Sequence, residues 1–135
     1  MPLAVDSSAL YAIIKGEPTA ERWFDFIVNL GRHERMTICD VAFAELAPFF
    51  DDNATLCTRM QTLGIEFDPI QTDTAFLAGQ IFADYRQGGG PRTKLVPDFL
   101  IGAHALNQAD GLLAEDRGYL RQYFRGLKLL RPPST

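Results

Sequence analysis

The residues best suited to chemistry in this sequence are four acids that lie far apart along the chain: Asp6, Glu45, Asp98 and Asp116. Asp6 and Asp116 each follow a short apolar segment. Glu45 lies in a mostly apolar stretch, where burying an unpaired carboxylate would be costly. Taken singly, the Asp residues have a simpler explanation, because Asp is a common helix cap and is favoured in the first turn of a helix. The question is whether the four meet.

Four carboxylates in one cleft repel one another, so a divalent cation is needed to keep them charged and close together. Mg²⁺ and Mn²⁺ suit such a site, because they prefer hard oxygen ligands and keep positions open for water and phosphate oxygens. A metal ion held in this way supports hydrolysis of a phosphodiester bond. If the acids converge, the sequence therefore predicts a metal-dependent phosphodiesterase site.

Short apolar segments that alternate with amphipathic ones predict the elements that carry these acids. The predicted strands are Leu3–Val5, Met36–Cys39, Ile65–Phe67, Gly111–Ala114 and Leu127–Leu130. The predicted helices are Ala9–Lys15, Pro18–Leu30, Val41–Phe50 with Asp40 as its cap, Ala54–Leu63, Thr72–Tyr85, Pro97–Gln108 and a short helix before the last strand.

Strands that alternate with helices are typical of the α/β class, a mostly parallel sheet with right-handed crossovers and helices on both faces. Ligands of such sheets bind outside the carboxyl ends of the strands, near the point where the strand order reverses. Asp6 and Asp116 each follow a predicted strand, so they would lie at this edge and be neighbours if their strands are adjacent. Glu45 and Asp98 lie on helices that can bring them over the same edge.

Composition limits the class of protein further. With 135 residues, 47% of them hydrophobic and 22% charged, we expect one globular domain over residues 1–135 and no extensive disorder. The net charge of −4 argues against a general polyanion binder. No signal peptide or membrane span is recognisable, which predicts a cytoplasmic location. Cys39 and Cys57 form no CxxC motif, which favours buried reduced thiols over a disulfide or a zinc site.

Four segments of the sequence resemble the signatures of the PIN domain, and most closely those of the VapC-type toxins of bacterial toxin–antitoxin pairs: LAVDSSAL, the glutamate in FAEL, PDFLIGAHAL and GLLAEDRGYL. The resemblance spans nearly the whole chain. It implies a three-layer fold with a five-stranded parallel sheet in which the first and fourth strands are neighbours. Ser7 and Ser8 match the polar pair that follows the first acid, whereas Ala114 stands where members of the family usually carry a hydroxyl residue.

The resemblance also implies an activity. It is that of a metal-dependent endoribonuclease in which Asp6, Glu45, Asp98 and Asp116 surround Mg²⁺ or Mn²⁺ and in which cleavage leaves a 5′-phosphate and a 3′-hydroxyl. Ser7 and Ser8 are candidates for orienting a metal-bound water or a phosphate, although helix capping explains both.

Basic and aromatic residues suggest the partners. Arg117 and Arg121, after the last acid, and Arg92 and Lys94, beside a glycine-rich loop, are candidates for contacts with RNA phosphates; a solvated basic face is the alternative. Aromatic residues in the segment RWFDFIVNL and in its neighbourhood predict either core packing or an apolar groove. Together with the resemblance, they favour a homodimer and an inhibitory antitoxin.

Two other interpretations stay open. One is a catalytically idle domain that binds protein or DNA through the same fold, against which the presence of all four acids argues. The other is a DNA-directed nuclease, because carboxylates that hold a metal beside a phosphate do not distinguish the two sugars. An aspartyl-phosphate phosphatase is disfavoured, since it would require a second Asp where Ser8 stands.

Overall fold

The computed structural model describes residues 1–91, 96–115 and 118–134. Within them, parallel strands form a sheet of five in the order β3-β2-β1-β4-β5. The strands are β1 (Leu3–Val5), β2 (Met36–Ile38), β3 (Ile65–Phe67), β4 (Gly111–Leu113) and β5 (Leu129–Leu130). The predicted α/β class is confirmed, and so is the neighbourhood of the first and fourth strands, which pair with Val5 opposite Leu113.

The helices lie between the strands and cover the sheet. They are α1 (Ser7–Ile14), α2 (Ala20–Leu30), α3 (Asp40–Leu46) with a 3-10 helix (Ala47–Phe49) after it, α4 (Asn53–Thr62), α5 (Thr72–Gln87), α6 (Pro97–Gln108) and α7 (Gly118–Tyr123). Because crossovers between parallel strands are right-handed, the reversal of direction after β3 puts α1 to α4 on one face of the sheet and α5 and α6 on the other.

The prediction of one helix over Val41–Phe50 with Asp40 as its cap is wrong. Asp40 is the first residue of α3, and its carboxylate accepts a hydrogen bond from Ile70 N at 3.2 Å instead of capping the helix. The α-helix ends at Leu46 because Pro48 follows, which has no N–H to donate to the preceding turn; Ala47 keeps an αR conformation, and its N–H donates to Ala44 O. The chain continues as a 3-10 turn, and Glu45 therefore lies in the last turn of α3.

The core consists of the central strands and the helix faces that cover them. All residues of β1, β2 and β4 are buried, and α2 adds the fully buried Trp23 and Ile27. Most of the aromatic residues in the segment RWFDFIVNL and its neighbourhood pack inward, which agrees with the prediction of core packing. Phe24 and Phe49, however, are 46% and 44% exposed. Cys39 is buried and Cys57 is half-buried, and both are free thiols as predicted.

Candidate metal-binding site at the carboxyl edge of the sheet

Asp6 lies where the strand order reverses. β2, the next strand in the chain, pairs with one side of β1, and β4 pairs with the other side. The carboxyl ends of β1 and β4 therefore flank the switch point, where α/β sheets bind ligands. Asp6 N donates to Leu113 O at 2.9 Å, which extends the ladder one residue past the end of β1. Asp6 is only 1% exposed.

The serine that follows two residues later holds the carboxylate of Asp6. Asp6 Oδ2 accepts hydrogen bonds from Ser8 Oγ at 2.5 Å and from Ser8 N at 3.4 Å, so Asp6 does cap α1, as was predicted for it. Ser8 Oγ in turn accepts a hydrogen bond from Glu115 N at 3.2 Å. Ser8 therefore connects the carboxylate of Asp6 to the chain that leaves β4.

Glu45 reaches the same turn from α3. Ser7 Oγ donates to Glu45 Oε1 at 2.8 Å across 38 positions of sequence, and Tyr11 OH donates to the backbone carbonyl of Glu45 at 2.8 Å. Ser7 is buried and Glu45 is half-buried. The expected cost of burying this carboxylate is thus reduced by a buried hydroxyl donor. Two adjacent serines hold carboxylates from two different elements, Asp6 and Glu45.

Asp98 stands at the start of α6, half-buried, and α6 packs against both β1 and α3. The elements that carry Asp6, Glu45 and Asp98 are therefore in mutual contact. Among the residues that the structure describes, however, no three His, Cys, Asp or Glu side chains lie close enough together to hold a metal ion. The convergence of the acids into one metal site stays a prediction.

Several predicted site residues fall outside the described part of the chain. They are Asp116, Arg117, Arg92 and Lys94, together with the side chain of Arg121.

Glu115 is a residue that the sequence did not single out as a candidate. The side chain is half-buried, and its Oε1 accepts a hydrogen bond from the indole Nε1 of Trp23 at 2.7 Å. The available signal was Trp23 itself, since a buried indole N–H needs an acceptor, but the sequence does not say which residue supplies it.

Cys39 lies at the end of β2, in the field of the same acids. Burial raises the pKa of the Cys39 thiol to about 11; N–H groups of Ala42 and Val41 oppose this shift, and the charges of Asp40 and Asp6 add to it. A thiol with so high a pKa stays protonated at neutral pH and is a poor metal ligand there.

A comparison with protein-family models matches residues 3–125 to the PIN domain. The chain belongs to the PIN domain family. PIN domains are typically nucleases and generally use divalent metal ions. The family predicted from the four sequence segments is thereby confirmed.

Two solved structures share the fold of this PIN domain. One is VapBC2 from Rickettsia felis bound to a DNA fragment from its promoter, with a TM-score of 0.72 and 16% identity over 98% of this chain and 100% of that chain. The other is DNA-bound VapBC from Salmonella typhimurium, with a TM-score of 0.66 and 18% identity over 97% and 98% of the two chains. No curated protein sequence matches the chain.

The oxygen atoms at this edge of the PIN domain are of the chemical type that binds a magnesium-like ion. Asp6 and Glu45 offer carboxylate oxygens, and the adjacent Ser7 and Ser8 add only hydroxyls. All are hard donors of the type that Mg²⁺ and Mn²⁺ prefer. A complete site needs further carboxylates, for which the sequence offers Asp98 and Asp116.

Proposed function

We propose that this PIN domain, residues 1–135, is a metal-dependent endoribonuclease of the VapC type, the toxin of a toxin–antitoxin pair. The observation that carries the proposal is the pair of serine contacts at the strand-order reversal, Ser7 to Glu45 and Ser8 to Asp6. Hydroxyl donors that hold two carboxylates beside a switch point are typical of a site that must keep its acids oriented.

Each residue has a proposed task. Asp6, Glu45, Asp98 and Asp116 hold Mg²⁺ or Mn²⁺; Asp98 is included because its helix packs against both β1 and α3. A bound ion would supply a water of lowered pKa and a positive charge beside the phosphate. Ser7 orients Glu45 and Ser8 orients Asp6. No side chain acts as a nucleophile: water would attack the phosphorus and the 3′-oxygen would leave, which gives the 5′-phosphate and 3′-hydroxyl that the family resemblance implies.

RNA is the proposed substrate, bound through its phosphates. Arg117 and Arg121 would contact the backbone on one side of the acids, and Arg92 and Lys94 on the other. With a net charge of −4, the chain depends on such local cationic groups to hold a polyanion.

The proposed protein partners are a cognate antitoxin and a second copy of the chain, in the cytoplasm. Both structural neighbours are VapBC complexes. A groove of about 370 Å³ on this chain has an apolar side, lined by Ile13, Ile14, Phe49 and Phe50, and a polar side, lined by Asp51, Thr55 and Arg59, which suits an amphipathic segment of an antitoxin. No helix in the described residues is both long and apolar enough to cross a membrane.

The test is cleavage of RNA by the purified, partner-free protein with Mg²⁺, beside the variants Asp6→Asn and Asp98→Asn. Each variant should lose about 100-fold or more in rate, because it removes a charge that holds the ion. Asp25→Asn, which changes an exposed acid of α2, is the matched control and should cleave like the wild type.

A DNA substrate with the same base sequence as the RNA distinguishes between the interpretations that the amino-acid sequence left open. Cleavage of RNA and not of DNA supports the proposal, and preferential cleavage of DNA would replace it with a DNA nuclease. A wild type that cleaves neither, or an Asp6→Asn variant as active as the wild type, would contradict the proposed chemistry.

A further inference from the structure

A hydrogen bond between Trp23 and Glu115 joins α2 to the end of β4. Indole Nε1 donates to Oε1 at 2.7 Å, across 92 positions of sequence. The indole is 0% exposed, so its N–H depends on this acceptor for a hydrogen bond. A bond from an N–H to an ionised carboxylate is stronger than one between neutral groups, and losing one partner would leave the other unsatisfied in a largely buried place. The contact therefore fixes the chain at residue 115.

The main chain of Glu115 carries this constraint to the candidate site. Its N–H donates to Ser8 Oγ, and the same hydroxyl donates to Asp6 Oδ2. A continuous series of hydrogen bonds thus runs from the core of α2, through Glu115 and Ser8, to the carboxylate of Asp6. Glu115 is also the residue that immediately precedes Asp116 in the sequence.

We propose that Trp23 and Glu115 are positioning residues for the metal site. Their hydrogen bond holds the end of β4 so that Ser8 keeps Asp6 in its orientation. Glu115 is thus not an additional metal ligand but a support for the proposed ligand Asp6. The inference rests on the proposed function, because it presupposes that the acids bind a divalent ion.

Three variants separate the hydrogen bond from the charge and from the bulk of these side chains. Trp23→Phe keeps an aromatic ring but removes the donor, and Glu115→Leu removes the acceptor. Glu115→Gln keeps an oxygen that accepts from the indole and removes only the charge. Outer supports of metal ligands typically contribute about 10-fold or more to metal affinity. We therefore expect Trp23→Phe and Glu115→Leu to weaken Mn²⁺ binding by about that factor and Glu115→Gln to stay within about 3-fold of the wild type.

The measurement is Mn²⁺ binding to the RNA-free protein, followed by electron paramagnetic resonance of the free ion. A double variant, Trp23→Phe with Glu115→Leu, should bind Mn²⁺ no more weakly than the weaker single variant, because both changes break the same bond. Thr74→Val is the matched control: it breaks a partly buried hydrogen bond from Asn107 Nδ2 to the buried Thr74 Oγ1, at 3.0 Å between α6 and α5. It should lower stability and leave Mn²⁺ binding unchanged.

A second readout uses the fact that Trp23 is the only tryptophan of the chain. Its indole N–H gives a single resonance in a ¹⁵N-correlated spectrum, and a hydrogen bond to a carboxylate moves that resonance downfield. Adding diamagnetic Mg²⁺ should shift it in the wild type, because the metal site and the indole are connected through Ser8 and Glu115. The shift should be lost in Asp6→Asn and in Glu115→Leu.

The outcomes are distinguishable. If the wild type binds Mn²⁺ and all three variants bind it equally well, the positioning role is overturned and the proposed function survives. If Glu115→Gln loses as much affinity as Glu115→Leu, the charge of Glu115 matters and not the bond to Trp23, which also overturns the inference. If the wild type binds no Mn²⁺, the proposed function falls, and this inference falls with it.

Discussion

At the scale of single residues, two adjacent serines decide how the site is built. At the level of sequence, helix capping explained both serines, but the cap of α1 is Asp6; Ser7 and Ser8 are the first two residues of the helix, and their hydroxyls donate to Glu45 and Asp6. The contact of Ser7 with Glu45 was not predictable, because it spans 38 positions and depends on how α1 meets α3. Local sequence rules predict a contact between near neighbours such as Asp6 and Ser8, whereas a contact between distant residues can be known only from the fold.

Ser7→Ala tests the role of this distant contact. The variant should lower the kcat of RNA cleavage by about 10-fold, because a hydrogen bond to a charged group contributes about 1.5 kcal/mol or more. KM should change little, since the hydroxyl orients an acid and does not hold RNA. Thr58→Ala, which removes an exposed hydroxyl on α4, is the control. Equal kcat values for Ser7→Ala and wild type would contradict the proposed orientation of Glu45.

The raised pKa of Cys39 predicts a dependence of stability on pH. Folding raises this pKa from an ordinary value of 9.0 to about 11, so the protonated thiol is favoured in the folded protein. The stability that this contributes is complete below pH 9 and is lost as the pH rises through about 11. Urea unfolding at a series of pH values should therefore show a steeper loss of stability above pH 9 in the wild type than in Cys39→Ala. Parallel curves would show that burial does not perturb the thiol.

At the scale of elements, sequence patterns located the helices and strands but not all of their ends. The strand Ile65–Phe67 and the helix Pro97–Gln108 agree with their predicted bounds, because Gly64 ends the preceding helix and Pro97 starts α6. The prediction that Asp40 caps a helix was wrong because Asp is a common cap, but the carboxylate of Asp40 binds Ile70 N, and this distant contact cannot be predicted from the sequence.

The glycine of α6, Gly102, is explained by its packing. A Cβ atom on Gly102 would lie 2.8 Å from Cζ of Phe124, so the glycine lets α6 approach an aromatic ring of the core. Gly102→Ala should lower the free energy of unfolding by about 1 to 3 kcal/mol, measured by urea denaturation. On α5, a Cβ on Gly79 would meet nothing within 4 Å, and Gly79→Ala should raise stability by about 0.5 to 1 kcal/mol. Changes of the same sign and size in both variants would contradict this explanation.

At the scale of the whole molecule, the order of the strands places the chemistry. Alternating strand and helix signals predicted the α/β class, and the general position of ligand sites in such sheets predicted the edge on which Asp6 lies. The neighbourhood of β1 and β4 came only from the family resemblance, because short apolar strands do not specify their partners. The link from Trp23 through Glu115 to Asp6 was not predictable from the sequence, since its contacts from Trp23 to Glu115 and from Glu115 to Ser8 join different elements and depend on how these pack.

The proposed function depends on acids from distant elements sharing one divalent ion. Its most direct test is a crystal of the protein grown with Mn²⁺ and measured at a wavelength at which manganese scatters anomalously. We expect an anomalous peak at the carboxyl ends of β1 and β4, about 2 Å from an oxygen of Asp6, from an ion that is bound by at least one further acid among Glu45, Asp98 and Asp116. A well-diffracting crystal with manganese bound elsewhere, or with none near Asp6 at saturating Mn²⁺, would contradict it.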